Sequence, residues 1–169
     1  MPSSSTNAGD SVPSSQHAAN LQPVHIKYVP LPAPLPALDD TAILVTASAE
    51  LGLPCRRCLA DSKPGEQLNL MSYDPFPVDA VSPYRGSGPI FVHAHECSVF
   101  NGDVLPQTQL NRLMSLRAYN DKHMMINADV ADGHTIEKVA QEMLADEKTK
   151  YINVHNAKHG CYAVTIGRD

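Results

Sequence analysis

Cys55-Arg56-Arg57-Cys58 places two thiols at the separation used by half of a zinc site, or by a thiol–disulfide motif. Zinc takes tetrahedral nitrogen and sulfur donors, commonly from two such pairs carried on tight turns. A second donor pair is on offer in His93, His95 and Cys97, or in His155, His159 and Cys161. His93 and His95 share one side if their strand continues that far. The local pattern argues against a joint site, because residues 54–59 read as a strand and a strand sends side chains three apart to opposite faces. A redox role lacks its usual setting, a helix that opens on the first cysteine. The expectation is buried, inert thiols, since free cysteine is among the most buried residue types, with no cofactor. Zinc held by Cys55, Cys58, His93 and His95 is the alternative.

Two further groups could bind or process a small molecule. Ser82-Pro83-Tyr84-Arg85-Gly86-Ser87-Gly88-Pro89 is a glycine-rich turn leading into a strand, and its amides around Ser87 and Gly88 could cradle an anion. It has neither the lysine nor the following helix of a nucleotide-binding P-loop. Near the C-terminus, His155 ends an apolar strand, followed by Asn156 and, after a turn, by Cys161. Histidine is readily tuned for proton transfer near neutral pH, Asn156 could orient it, and Cys161 could act as a nucleophile. Arg56, Arg85 and Arg117 lie in segments that a sheet could gather, and arginine suits bidentate recognition of carboxylate or phosphate. The composite expectation is a pocket for a small anion, with His155, Asn156 and Cys161 as the reacting group and Arg56, Arg85, Ser87, Gly88 and Arg117 as the binding group.

The elements that must position these residues follow from patterning. Residues 24–29 alternate apolar and polar side chains, 43–47 are short and β-branched, and 89–93, 151–155 and 161–166 are further apolar runs, all strand-like. Pro64-Gly65 reads as the turn of a hairpin joining 54–59 to 67–73, and Asn120-Asp121 as the turn between 116–119 and 123–130. Pro106 suits a first helical turn, with Leu105, Leu110, Leu113 and Met114 at helical spacing. Asp132 or Gly133 can cap a second helix through Ala145, with Ile136, Val139, Ala140, Met143 and Leu144 on one face. Strands in hairpin order with two inserted helices define the α+β class, with a mainly antiparallel sheet.

Composition bounds the rest. The chain has 169 residues, a net charge of −5 and scattered basic residues, which argues against a nucleic-acid surface. Apolar runs fall short of the roughly 18 residues that a membrane span needs, so no membrane association is expected. Four cysteines are too few for a disulfide scaffold of the small secreted kind. Residues 1–23 are rich in serine and proline and lack lysine, arginine and an apolar stretch, so they read as a disordered tail and not as a targeting signal; a cytoplasmic location is the expectation. Residues 30–37 alternate proline with leucine or alanine and read as a polyproline-like arm laid over the domain. The arm lacks the basic residue that flanks SH3 ligands, so a protein partner there is not expected. One folded domain over residues 24–169 remains.

Several strings in that domain resemble the DUF1203 family, a domain of unknown function. They are Leu53-Pro54-Cys55-Arg56-Arg57-Cys58-Leu59, Gly65-Glu66, Ser72-Tyr73-Asp74-Pro75-Phe76, the run from Ser82 to Val92, Leu116-Arg117-Ala118-Tyr119, Ala128-Asp129-Val130, Val154-His155-Asn156-Ala157 and Gly160-Cys161-Tyr162. The resemblance implies one compact domain and lends no activity. Two functional classes stay open: a small enzyme acting on an anionic molecule, and a non-catalytic binding or metal-binding module.

Overall fold

A computed structural model of the protein describes residues 24–31, 37–50 and 52–169. The tail and most of the proline-rich arm lie outside the described residues. In chain order the elements are β1 (Ile26–Val29), β2 (Ile43–Thr46), β3 (Gln67–Tyr73), β4 (Gly88–His93), α1 (Gln107–Leu110), β5 (Leu113–Tyr119), β6 (Met125–Asp132), α2 (Ile136–Leu144), β7 (Tyr151–Asn156) and β8 (Tyr162–Arg168). A single 3₁₀ turn, Gly133–Thr135, leads into α2. The strands form a five-stranded sheet in the order β1-β8-β7-β5-β6 and a three-stranded sheet in the order β2-β3-β4, every neighbouring pair antiparallel. The α+β class and the antiparallel sheets expected from the sequence are what is found.

Strand periodicity divides the large sheet into two unlike faces. On one face Met114, Leu116, Ala118, Ile152, Val154, Val164 and Ile166 pack against Ile136, Ala140, Met143 and Leu144 of α2. On the other, Asn153, His155, Tyr162 and Thr165 follow from the alternating register, and the Tyr162 ring meets Tyr73 of the small sheet, with centroids 5.4 Å apart. Buried polar groups need partners. Tyr162 Oη and Thr165 Oγ1 lie 2.8 Å apart, and Thr165 Oγ1 donates to Asn153 Oδ1 at 2.9 Å. The second core joins the small sheet to this face through Leu31, Cys55, Met71, Ile90, Val92 and Tyr162.

Two element readings change. The helix at Pro106 is one turn long, and Leu113 and Met114 open β5 instead of extending it. Both satisfied helical spacing, but in the pairing with β6 and β7 Met114 faces the core while Leu113 and Ser115 face the other side. Residues 54–59 are not a hairpin partner of 67–73: β3 pairs with β2 and β4, and Pro54 only bridges to Asp61. The Pro64-Gly65 turn is real, with Gly65 at φ +85°, but it returns a long excursion to the small sheet. That excursion, running from the end of β2 to the start of β3, carries the Cys-x-x-Cys pair.

Candidate functional site

The excursion turns sharply at the cysteines. Residues 56–58 form a turn, closed where the Cys55 amide donates to the Ala60 carbonyl at 3.0 Å, and Leu59 adopts a left-handed φ of 58°. That conformation costs a non-glycine residue about 1–2 kcal/mol, here offset by burial of the Leu59 side chain in the main core. The turn swings Cys58 back beside Cys55, which corrects the expectation that the two thiols face opposite ways. The opposed-face argument needs a strand, and Pro54 and Cys55 make only isolated bridges, to Asp61 and Phe91, before the chain turns.

Their partners come from the end of β4. The donor atoms of Cys55, Cys58, His93 and Cys97 all lie within 4.8 Å of one another. Cys55 Sγ and Cys97 Sγ are 3.9 Å apart, and Cys58 Sγ is 3.5 Å from His93 Nδ1. Tetrahedral zinc, with Zn–S of about 2.3 Å and Zn–N of about 2.0–2.1 Å, sets sulfur–sulfur edges near 3.8 Å and sulfur–nitrogen edges near 3.6 Å. The observed edges match both. The His93 amide donates to Cys55 Sγ at 3.4 Å. Cys55, fully buried, is drawn down to about 4, first because the Cys58 thiol donates to it, then by the amides of Cys58, His93 and Arg57, against burial. A thiolate there is the form that binds metal.

His93 is placed as a ligand histidine is, with Nδ1 toward Cys58 and Nε2 toward Glu66. Its Nε2 is buried and makes no hydrogen bond, while Glu66 Oε2 stands 3.4 Å away. Coordination through Nδ1 fixes the proton on Nε2, where a carboxylate is the customary outer partner. The Lys63 amide donates to Glu66 Oε2 at 2.7 Å and holds that carboxyl below its usual range. His95, expected as the fourth donor, lies past the end of β4 with its ring beside that of His93, centroids 4.7 Å apart. Cys97 takes the place instead, because the chain needs a further residue pair to turn back toward Cys55.

The residues expected to form an anion pocket separate. Arg56, Asn156 and Cys161 come together on one cavity of about 370 Å³, walled by Leu53, Leu70 and Phe91. Arg85 latches the loop after β3, with Nε on Asp74 Oδ2 at 2.6 Å and Nη1 on the carbonyls of Val78 and Ala80. Ser87 and Gly88 edge a separate shallow hollow beside Thr41 and Ile43. Arg117, opposite Asn153 in register, belongs with His155 to the face of the large sheet that carries Tyr162, and neither lines the cavity. His155 and Asn156 are consecutive in β7, so they face opposite ways. Sequence reasoning passed over Arg112, which also lines the cavity and holds Asp61 by both carboxylate oxygens at 2.9 and 2.8 Å. The signal was its place beside a strand start, too weak to read without the fold.

His155 is 8% exposed, and its Nδ1 lies 3.0 Å from the Gly160 carbonyl, an acceptor, so Nδ1 carries the proton. Burial pushes it down to about 4, with the charges of Arg117 and Arg56 adding and the Gly160 bond opposing. An unfolded histidine titrates near 6.5, so between that value and about 4 the unfolded chain binds the extra proton and the folded one does not. The stability His155 contributes is complete above about pH 6.5 and is lost as pH falls toward 4. The expected loss by pH 4.5 is about 2–3 kcal/mol, read by urea unfolding as the difference between the wild type and His155→Gln. Parallel pH profiles for the two proteins would sink this account.

The architecture and the donor set define a small α+β fold with a cluster of three cysteines and a histidine beside its smaller sheet. A family model described as "Protein of unknown function (DUF1203)" matches residues 52–168, and the chain belongs to that family. No curated protein and no solved structure matches the chain. Among the described residues, no helix is long and apolar enough to cross a membrane.

Proposed function

We propose that the protein is a zinc-binding domain in which Cys55, Cys58, His93 and Cys97 hold one Zn²⁺. The carrying observation is the convergence of four donor atoms from two separate segments to within 4.8 Å of one another, with the Cys55–Cys97 and Cys58–His93 edges at tetrahedral lengths. Three thiolates and an imidazole favour zinc over hard cations such as magnesium or calcium. All four positions are supplied by the chain, which is the arrangement of a closed, structural site. The role that follows is to pin the excursion after β2 against the end of β4 and so to fix the arginines of the turn between Cys55 and Cys58.

Protein purified without added chelator is expected to contain one zinc per chain by elemental analysis. Cys97→Ser is expected to lose most of it, while His95→Ala keeps it. Metal-free protein whose four thiols react alike with a thiol reagent would refute the proposal. Zinc lost equally in both variants would refute the assignment of Cys97.

A further inference from the structure

Arg56 is 2% exposed, and a buried permanent charge is costly unless an opposite charge meets it. Among the described residues no carboxylate forms an ion pair with it; the carboxylates paired with arginine or lysine are Asp74 with Arg85, Asp61 with Arg112 and Glu142 with Lys138. Its Nε donates to the Tyr162 carbonyl at 2.6 Å, Nη1 donates to the Pro54 carbonyl and Nη2 to Cys161 Sγ at 3.1 Å. A guanidinium has five N–H groups, so one on each terminal nitrogen is left over. Asn156 Nδ2 approaches the same sulfur at 3.5 Å. These donors line the 370 Å³ cavity together with Arg112 and His159, and the remaining walls, Leu53, Leu70 and Phe91 among them, are apolar. Arg112 adds no net charge there, being neutralised by Asp61. Lys158 stands at an adjoining hollow that shares Asn156, Arg112 and His159 with the cavity.

We infer that this cavity binds a small organic carboxylate with an apolar body, its anionic head against Arg56 and Asn156 beside Cys161. The volume lies within the range of small-molecule sites, and an apolar wall with a few convergent polar groups is their usual construction. Arg56 is fixed by two backbone carbonyls, so it meets the anion without reorganising. This goes beyond the zinc reading and uses a different set of side chains.

Zinc-loaded protein is treated with iodoacetate and, separately, with iodoacetamide, and Cys161 modification is followed by peptide mapping. In both reactions the Cys161 sulfur displaces iodide to form one S–C bond, and the thiol proton passes to buffer. The ratio of the two rates cancels the thiol's own ionisation and reports preference for the anion. Relative to the ratio for N-acetylcysteine amide in solution, Cys161 is expected to favour iodoacetate by about tenfold, and Arg56→Met to abolish the preference. Benzoate is expected to protect Cys161 from iodoacetamide and neutral benzamide is not, an arm that needs no variant. A ratio equal to that of the free thiol, or equal protection by benzoate and benzamide, overturns the inference. Zinc content measured on the same samples separates this failure from failure of the metal centre.

Discussion

Stripping the metal with a strong chelator is expected to lower the midpoint of thermal unfolding by about 10 °C or more and to loosen the small sheet before the large one. Zinc at a thousandfold excess over its dissociation constant stabilises the folded chain by about 4 kcal/mol through mass action alone. In a domain of this size each kcal/mol moves the midpoint by about 2–4 °C. The loss is local because the ligands belong to one core: Cys55 sits in the cluster under the small sheet, with Cys58 and Cys97 packed against it. Apart from Leu59, the cluster between the large sheet and α2 draws nothing from the metal turn. Hydrogen exchange is the discriminating measurement. Amides of residues 52–62 and 92–97 are expected to lose protection in the chelated protein, while those of β5, β7 and β8 keep it. Identical midpoints and exchange patterns with and without chelator would show that thiol packing alone holds the turn.

The same contrast explains what could be read in advance. Residues on the large sheet announce themselves, since Ile152, Val154, Val164 and Ile166 alternate, and the α2 face repeats at helical spacing. Local order there agrees with the tertiary demand. The turn at Cys55 and Cys58 is the opposite case. Leu53, Cys55 and Leu59 look like strand residues, and only tertiary packing draws Leu59 into a left-handed conformation that its own propensity opposes. The choice of Cys97 over His95 depends on how the chain leaves β4, and spacing does not carry that. The arginines were suitable by type, yet their grouping depends on side-chain direction. Arg56 is drawn inward by carbonyls of Pro54 and Tyr162, a residue more than a hundred positions away, whereas Arg85 is satisfied within its own loop. A pairing such as β1 with β8, from opposite ends of the folded chain, is likewise set by closure of the sheet.

Gly133→Ala is expected to destabilise the protein by about 3 kcal/mol, although the glycine is neither in a hairpin turn nor in a metal ligand's neighbourhood. Gly133 follows β6 and begins the turn into α2, where a Cβ would stand 2.4 Å from the Leu110 carbonyl oxygen and 2.6 Å from that of Gln109. Both obstacles are backbone, so no side-chain rotation relieves them; either α1 or the entry to α2 must move. The Gly133 amide also donates to the Arg112 carbonyl at 2.8 Å, which couples this contact to the residue that closes the cavity beside Asp61. The displacement is therefore expected to weaken benzoate protection of Cys161 as well as stability. Gly167→Ala is the matched control: an added Cβ in β8 meets nothing within 4 Å, and its effect should stay within about 0.5 kcal/mol. Urea unfolding of the two variants at neutral pH makes the comparison. Equal stabilities would mean that the segment from Gln109 to Arg112 yields freely, and Gly133 could then no longer be credited with setting the position of Arg112.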